Sequence, residues 1–541
     1  MRSGSAPESM NTAELLARVL AEAGVRWVFG IPSGPVLPLI EALGKSPVEF
    51  VLTASETSAG FMAQTVGSLI GIPGACVSTL GPGATNLATG VGAAWLDRAP
   101  LIAITCNVAT KWLDRRVQMR IDHHALFGPL TKASFAVRAE NAGDIFVRAL
   151  ALAGAEPPGP VHLDLPEDVA QEKAADGVGR CEDAAAALRE PEGNWLEKFT
   201  AALRQSRRPL VATGLGFCRS KNPRALLRFI EAQKIPFIST LHAKGFLPES
   251  HPNWAGVLGR ARRSDVQALI AASDMIVAVG FDPIEINYEE WTGRTPLVHL
   301  AQEAADAGPE VALRLDAAGD IDAIIARLGE MPPLPNDWTV AEIKARREKL
   351  EKNLRPACAG FAPHRVIDRL RKKLPADAIL AYDVGAHTHQ IATQWRSDFP
   401  KSCLATNGWS SMGYGMPSAY AAKLVHAGRT VVALIGDGCF QMTAGELALA
   451  RRLALAVPVV VLNDGWLGLM KIKQERRGYA LSGVRLGEPP PSPAHYFGVP
   501  CRSAKNEREL DGALDWALAL NGPSVIEAFV DVGPYSETVF D

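Results

Sequence analysis

Short, mostly apolar runs of strand length recur along the chain, separated by longer Ala-rich stretches with helical spacing. In the first third, residues 27–31, 75–79, 101–105 and 161–165 are such runs, and 58–69 and 84–95 between them carry the helical pattern. Near-continuous apolar strands, rather than alternating ones, are those buried on both faces of a parallel sheet. Residues 209–213, 275–280 and 297–300 repeat the pattern, as do 379–382, 430–435, 457–462 and 525–530. Strands alternating with helices predict an α/β fold of three doubly wound parallel-sheet domains, over about 11–170, 194–330 and 360–541. A polar, acidic stretch at about 171–193 and the proline-rich MPPLPNDW at 331–338 are the expected linkers. No close internal repeat is visible, although the first and third stretches are compatible with one duplicated fold.

Composition narrows the function. With 56 basic and 58 acidic side chains the net charge is −2, which provides no concentrated basic face for nucleic acid. The basic runs at 260–263 and 344–352 are short and mixed, and are expected as solvated helix faces. The eight cysteines include no CxxC pair, so reduced thiols are expected. The first residues lack a signal-peptide pattern, and no apolar run approaches the ~20 residues needed to span a bilayer. A soluble, cytoplasmic chain with small-molecule substrates is the expectation.

The segment TVVALIGDGCFQMTAGELALARRLALAVPVVVLNDGWLGL (430–469) carries the sharpest chemistry. It reads as a strand, Gly436-Asp437-Gly438, a helix of about 14 residues, and a strand ending in Asn463-Asp464-Gly465. Carboxyl ends of parallel strands meet at one rim, so Asp437 and Asn463, 26 positions apart, are expected side by side. A carboxylate and an amide oxygen suit Mg²⁺ or Ca²⁺, with the set completed by water and phosphate. The glycines admit backbone N–H groups to phosphate, and the helix directs its positive end there. A bare GDG would more often be a capped strand–turn–helix; the second strand ending in Asn reverses those odds.

GDG followed by some two dozen residues and Asn resembles the thiamine-diphosphate (ThDP) enzyme signature. The resemblance implies Asp437, Asn463 and the Gly465 carbonyl as Mg²⁺ ligands, with Gly438 and Cys439 beside the cofactor. WSSMGYGMPSAYAA (409–422) is similar to the family's Gly-rich turn, with Met412 propping the bent cofactor, the Ser410 carbonyl receiving its amino group and Ser411 alongside. DVGAHTHQ (383–390) resembles the diphosphate-contact loop and implies His387 and Thr388 as contacts. In FVLTASETSAGFMA (50–63), Glu56 stands between a strand and an Ala-rich helix. Most glutamates there are favourable first-turn charges. GPGATN (81–86), which includes Asn86, follows at the family's place and implies Glu56 as the catalytic carboxyl on the pyrimidine ring nitrogen. Many relatives have His before this Glu; here it is Ser55, so no role for that His carries over.

The resemblance extends from about residue 11 to the end and is strongest to the acetolactate synthase branch, through 59–90 and 125–134. GFDPIEINYEEW (280–291) is similar to the catabolic synthases, which implies no FAD. His123-His124 is similar to the histidine pair of pyruvate-type decarboxylases, and histidine titrates where proton transfer needs it. The surrounding segment fits synthases without the pair equally well, so a catalytic role for either histidine stays open. Leu469 replaces an acidic residue of those decarboxylases; with His123, His124, Trp466 and Met470 it is the expected pocket wall. The implied activity is decarboxylation of a 2-oxo acid with carboligation to a carbonyl acceptor, in a homodimer at minimum and commonly a homotetramer. The alternatives are an aldehyde-releasing decarboxylase, a ThDP-dependent lyase of 2-hydroxy ketones or acyl-CoAs, and, last, a non-catalytic regulatory protein.

Overall fold

The computed structural model describes residues 10–175, 188–488 and 490–539. Three parallel sheets form, each covered by helices. In the first, strands Trp27–Gly30, Glu49–Leu52, Gly74–Thr79, Leu101–Asn107, Ala133–Ala136 and Pro160–Pro166 lie in the order 2-1-3-4-6-5. The middle sheet contains Pro209–Thr213, Phe237–Ser239, Trp254–Val257, Met275–Val279, Leu297–Ala301 and Leu313–Ala318, ordered 3-2-1-4-5-6. The third has Ile379–Tyr382, Cys403–Leu404, Val431–Gly436, Pro458–Asn463, His495–Tyr496, Val499–Ala504 and Ser524–Phe529, ordered 2-1-3-4-7-6-5. Without its short antiparallel strand His495–Tyr496, the third sheet has the strand order of the first. Among the described residues no helix is long and apolar enough to cross a membrane.

The first and third domains share one hydrophobic core. Met62, Ala63, Leu87 and Val91 of the first pack in one cluster with Met416, Ala419, Tyr420 and Leu447 of the third. Helix Glu56–Ile70 lies against helix Gly415–Val425, with Phe61 edge-on to Tyr414 at 5.6 Å and the Thr65 hydroxyl donating to Ser418 at 2.9 Å. Helices Glu56–Ile70 and Pro82–Leu96 touch backbone to backbone: a Cβ on Gly60 would lie 2.7 Å from the Gly90 Cα. The middle domain has a core of its own.

Three expectations change. The proline-rich 331–338 segment is coil, but it is a packed strap: buried Trp338 donates its indole N–H to the Pro209 carbonyl at 2.7 Å under the Arg208 guanidinium. Helix Val340–Asn353 continues it, with Ile343 and Leu350 in the middle core and its lysines in solvent. The run 260–263 is no solvated helix face, because Arg260 bonds Asn407 of the third domain and the Arg262 N–H donates to the Thr538 carbonyl at 2.8 Å. The helix after Asp437 breaks into Asp437–Thr443 and Glu446–Arg452. Of the expected 171–193 linker, residues 176–187 lie outside the described residues.

Candidate active site

Strands Val431–Gly436 and Pro458–Asn463 run in register, Gly436 opposite Leu462, which brings Asp437 beside the turn after Asn463. One Asp437 oxygen accepts from the Gly438 N–H at 2.8 Å, the other from Gly465 at 2.7 Å and Asp464 at 3.2 Å. Gly465 makes that turn at φ +74°, where a side chain would be strained. Burial raises Asp437 above the usual carboxylate range against these bonds, and burial with the charge of Asp437 raises Asp464 to about 8. Among the described residues the Asn463 amide makes no hydrogen bond. The Gly465 carbonyl accepts from the Leu486 N–H at 2.8 Å, which leaves one lone pair. Hard oxygens from a carboxylate, an amide and a carbonyl are a donor set that fits a divalent cation with phosphate.

Beside it, His387 is buried with no partner on Nε2, and burial pushes it down to about 4, so the ring is neutral. It lies against Gly436, where a Cβ would come within 3.1 Å of the ring. An unengaged imidazole nitrogen next to the GDG turn suits a phosphate oxygen. The Thr388 hydroxyl is committed to its own loop, accepting from the Gly385 N–H at 2.8 Å and donating to the Asp383 carbonyl. Asp383 was not singled out by the sequence. Its buried carboxylate accepts from Val384, Gly413 and Gly415 at 2.8–2.9 Å, tying the loop of His387 to the turn of Met412. A carboxylate closing a buried strand just ahead of glycine was the available signal.

The Met412 methyl reaches the helix start, within 3.3 Å of where a Gly438 Cβ would stand. Ser410 holds φ +52° and donates its hydroxyl to the Asn407 carbonyl; the Ser411 hydroxyl donates to the Met412 carbonyl at 3.1 Å. The Cys439 thiol is buried against the Val384 carbonyl at 3.3 Å, and burial raises it far above its ordinary range.

In the first domain, Glu56 opens helix Glu56–Ile70, and the Ser55 hydroxyl caps that helix by accepting from the Ser58 N–H at 3.1 Å. The residue that replaces the relatives' His thus has a local task. Asn86 donates to Glu56 at 3.2 Å, and Gly83 leaves room for the other carboxylate oxygen, which a Cβ would approach to 3.2 Å. Glu56 and Asn86 are therefore brought together by the two helices that carry them. Within one chain, and among the described residues, no hydrogen bond joins them to Asp437, Asn463 or His387.

The two histidines part company. His123 is 1% exposed, with Nδ1 at 2.8 Å from the Thr105 hydroxyl and 3.1 Å from Asp164 and its Nε2 buried without a partner. His124 has a side chain 40% exposed and bonds Ser134 at 2.6 Å. His162, which the sequence reading missed, joins Ser134 at 2.7 Å to Thr105 at 2.8 Å, and burial pushes it down to about 3. Burial works to raise Asp164, but the His123 hydrogen bond and charge hold it below its ordinary range. Polar residues alternating inside the apolar run PVHLDLP were the overlooked signal. Leu469 packs on Ala386, Ile472 and Tyr535, Met470 is exposed, and Trp466 lies under Lys471 and Arg485.

The middle domain's strand order places a crevice between the loops after Pro209–Thr213 and Met275–Val279. The Gly216 N–H donates to the Gly280 carbonyl at 2.7 Å, the Leu215 N–H to Glu285 at 2.7 Å and the Gly214 N–H to the Val279 carbonyl at 3.1 Å. Gly280, at φ +58°, allows the contact, and Phe217, Phe281, Tyr288 and Trp291 fill the space behind it.

Three family models match: the thiamine pyrophosphate enzyme N-terminal TPP binding domain at 10–126, the central domain at 196–328 and the C-terminal TPP binding domain at 383–528. A probable acetolactate synthase large subunit of Methanocaldococcus jannaschii is 30% identical over 96% of this chain and 92% of its own. An acetolactate synthase of Bacillus subtilis is 28% identical over 97% and 94%, and the isozyme 2 large subunit of Escherichia coli 27% over 96% of each. The chain belongs to the thiamine pyrophosphate enzyme family, is similar to the acetolactate synthases within it, and is a thiamine-diphosphate-dependent enzyme.

Proposed function

We propose that the protein decarboxylates a 2-oxo acid, using Mg²⁺ with its cofactor, and joins the remaining fragment to a carbonyl acceptor as an acetolactate synthase does. The pairing of Glu56 with Asn86 at the start of a buried helix carries this reading, because a positioned carboxyl is what the cofactor's pyrimidine requires. ThDP, when bound, supplies the electron sink for loss of CO₂. The protein supplies placement. Asp437, Asn463 and the Gly465 carbonyl would hold the cation, and His387 with the backbone at Gly438 and Cys439 would face the diphosphate. Met412 would support the bent cofactor, and the Ser410 carbonyl and Glu56 would orient its pyrimidine. Thr388 and Ser411 serve the loops around them.

A homodimer at minimum, and a tetramer by family habit, would bring Glu56 of one chain to Asp437 of another. The absence of any bond between these groups within a chain, among the described residues, is compatible with that arrangement. No flavin is proposed: the amides that would meet a dinucleotide phosphate in the middle domain are spent on Gly280, Val279 and Glu285. The test is product analysis by NMR of purified protein with pyruvate, Mg²⁺ and ThDP, repeated without ThDP. ThDP-dependent acetolactate or acetoin is expected. Acetaldehyde alone would overturn carboligation and favour the aldehyde-releasing reading, in which exposed His124 is the histidine placed to exchange protons with solvent.

A further inference from the structure

Glu446 is a buried carboxylate that none of the chemistry above uses. It opens helix Glu446–Arg452 in the third domain, directly after the break that interrupts the GDG helix, and is 1% exposed. Its carboxylate crosses to the first domain and accepts from the Ala54 N–H at 3.0 and 3.1 Å and from the Ser55 N–H at 3.2 Å. These are the two residues immediately before Glu56. At the other end of the same short helix, Arg452 donates to the Leu52 carbonyl at 2.6 Å, where strand Glu49–Leu52 ends. Immediately before Glu446, Gly445 lets the turn approach: a Cβ there would meet the Ala54 Cβ at 3.2 Å. Thr53 completes the clasp from within the first domain, its hydroxyl donating to the Ser55 carbonyl at 2.8 Å and its N–H to the Gly30 carbonyl at 3.0 Å.

Backbone N–H groups withdrawn from water need an acceptor, and a carboxylate is a strong one. The direction in which Glu56 leaves the backbone follows from the geometry of residues 52–55, and that stretch is gripped by the other domain at Leu52, Ala54 and Ser55 as well as by its own sheet at Leu52 and Thr53. We propose that Glu446 is a positioning residue for Glu56, fixing the turn that aims the Glu56 carboxyl. The inference rests on the catalytic reading of Glu56 given above. It makes the break at Ala444–Gly445 useful: a straight continuation of the helix from Asp437 would not need to turn its next residue toward residue 54.

Glu446→Gln in the full-length protein tests it, because the amide keeps the size but offers a weaker, half-donating partner to two N–H groups. In the cofactor-free protein, hydrogen exchange at the amides of Ala54 and Ser55 is expected to speed up at least tenfold. In the Mg²⁺–ThDP complex, exchange of the cofactor C2 proton is expected to slow at least tenfold. The Kd for ThDP should stay within twofold, since Asp437, Asn463 and His387 are untouched. A variant that loses stability but exchanges the C2 proton at the wild-type rate would overturn the proposal, leaving Glu446 a structural tie only. Glu56→Gln run in parallel separates the two readings: if it too leaves C2 exchange unchanged, the role of Glu56 fails first. Should Glu446→Gln not fold, Arg452→Met loosens the same turn from the exposed side. It is expected to give the same two changes about threefold, and no change in C2 exchange would count against the proposal equally.

Discussion

In the third domain two groups at the rim are still open to a ligand: the Asn463 amide, which closes strand Pro458–Asn463 and makes no hydrogen bond among the described residues, and the His387 Nε2, carried by helix Ala386–Gln394 against Gly436. In the middle domain, strands Pro209–Thr213 and Met275–Val279 end in loops bonded to each other, with Glu285 seated on the Leu215 amide where an anion would sit. Both sheets are parallel and doubly wound, and both present a crevice at their strand ends. Architecture alone therefore does not decide where chemistry occurs. Whether the rim's polar groups have already found partners inside the protein does.

Substitutions should divide along that line. The largest effect is expected from Asp437→Ala, which should abolish Mg²⁺-dependent retention of ThDP, measured as cofactor remaining after gel filtration; tight retention would remove Asp437 from the cation site. Next comes Glu56→Gln, which should cut kcat at least a hundredfold while ThDP binding persists, within the roughly 10²–10⁴ typical of acid–base groups. Near-normal turnover would sink that assignment. In the middle domain Phe217→Ala should instead cost stability, about 3–5 kcal/mol for a buried Phe, with the ThDP Kd unchanged in titration calorimetry. A shift in cofactor affinity there would blur the contrast between the two crevices.

The smallest effect is in acid. His162 sits at about 3 in the folded chain, below its unfolded value of ~6.5. The unfolded state then binds the extra proton, so this histidine destabilises the fold as pH falls from 6.5 toward 3. His162→Asn should flatten denaturation midpoints between pH 7 and 5, by at most about 1.4 kcal/mol per pH unit. An unchanged slope would mean that His162 is not held neutral.

Much of this was legible in the sequence, and the exceptions named here have two causes. Strands such as Leu101–Asn107 and Val431–Gly436 announced themselves because both of their faces are buried. Edge strands Glu49–Leu52 and Ala133–Ala136 did not, since their partial exposure gives mixed patterns. Asp437 and Asn463 stood out as candidates because their spacing along the chain is itself the signal, and Glu56 because the segments around it resemble the family's. Asp383, Glu446 and His162 could not, because what makes them matter lies dozens to hundreds of positions away: Gly413 and Gly415 for Asp383, Ala54 for Glu446, Thr105 for His162. Arg260 was misjudged for the same reason, its partner Asn407 belonging to another domain.

The contact between Gly60 and Gly90 sets a limit on how this protein can diverge. Helix Glu56–Ile70 begins with the carboxyl proposed as catalytic and helix Pro82–Leu96 carries its amide partner Asn86. With no side chain between them at Gly60 and Gly90, the gap is set by main chain against main chain, and a methyl on either would intrude on the other's Cα. Neither position can drift while the other waits, and an alanine at one finds no compensating truncation at the other, because glycine has nothing left to remove. The pair acts as a gauge block for the carboxyl and its partner, fixed by the absence of side chains and closed to gradual adjustment.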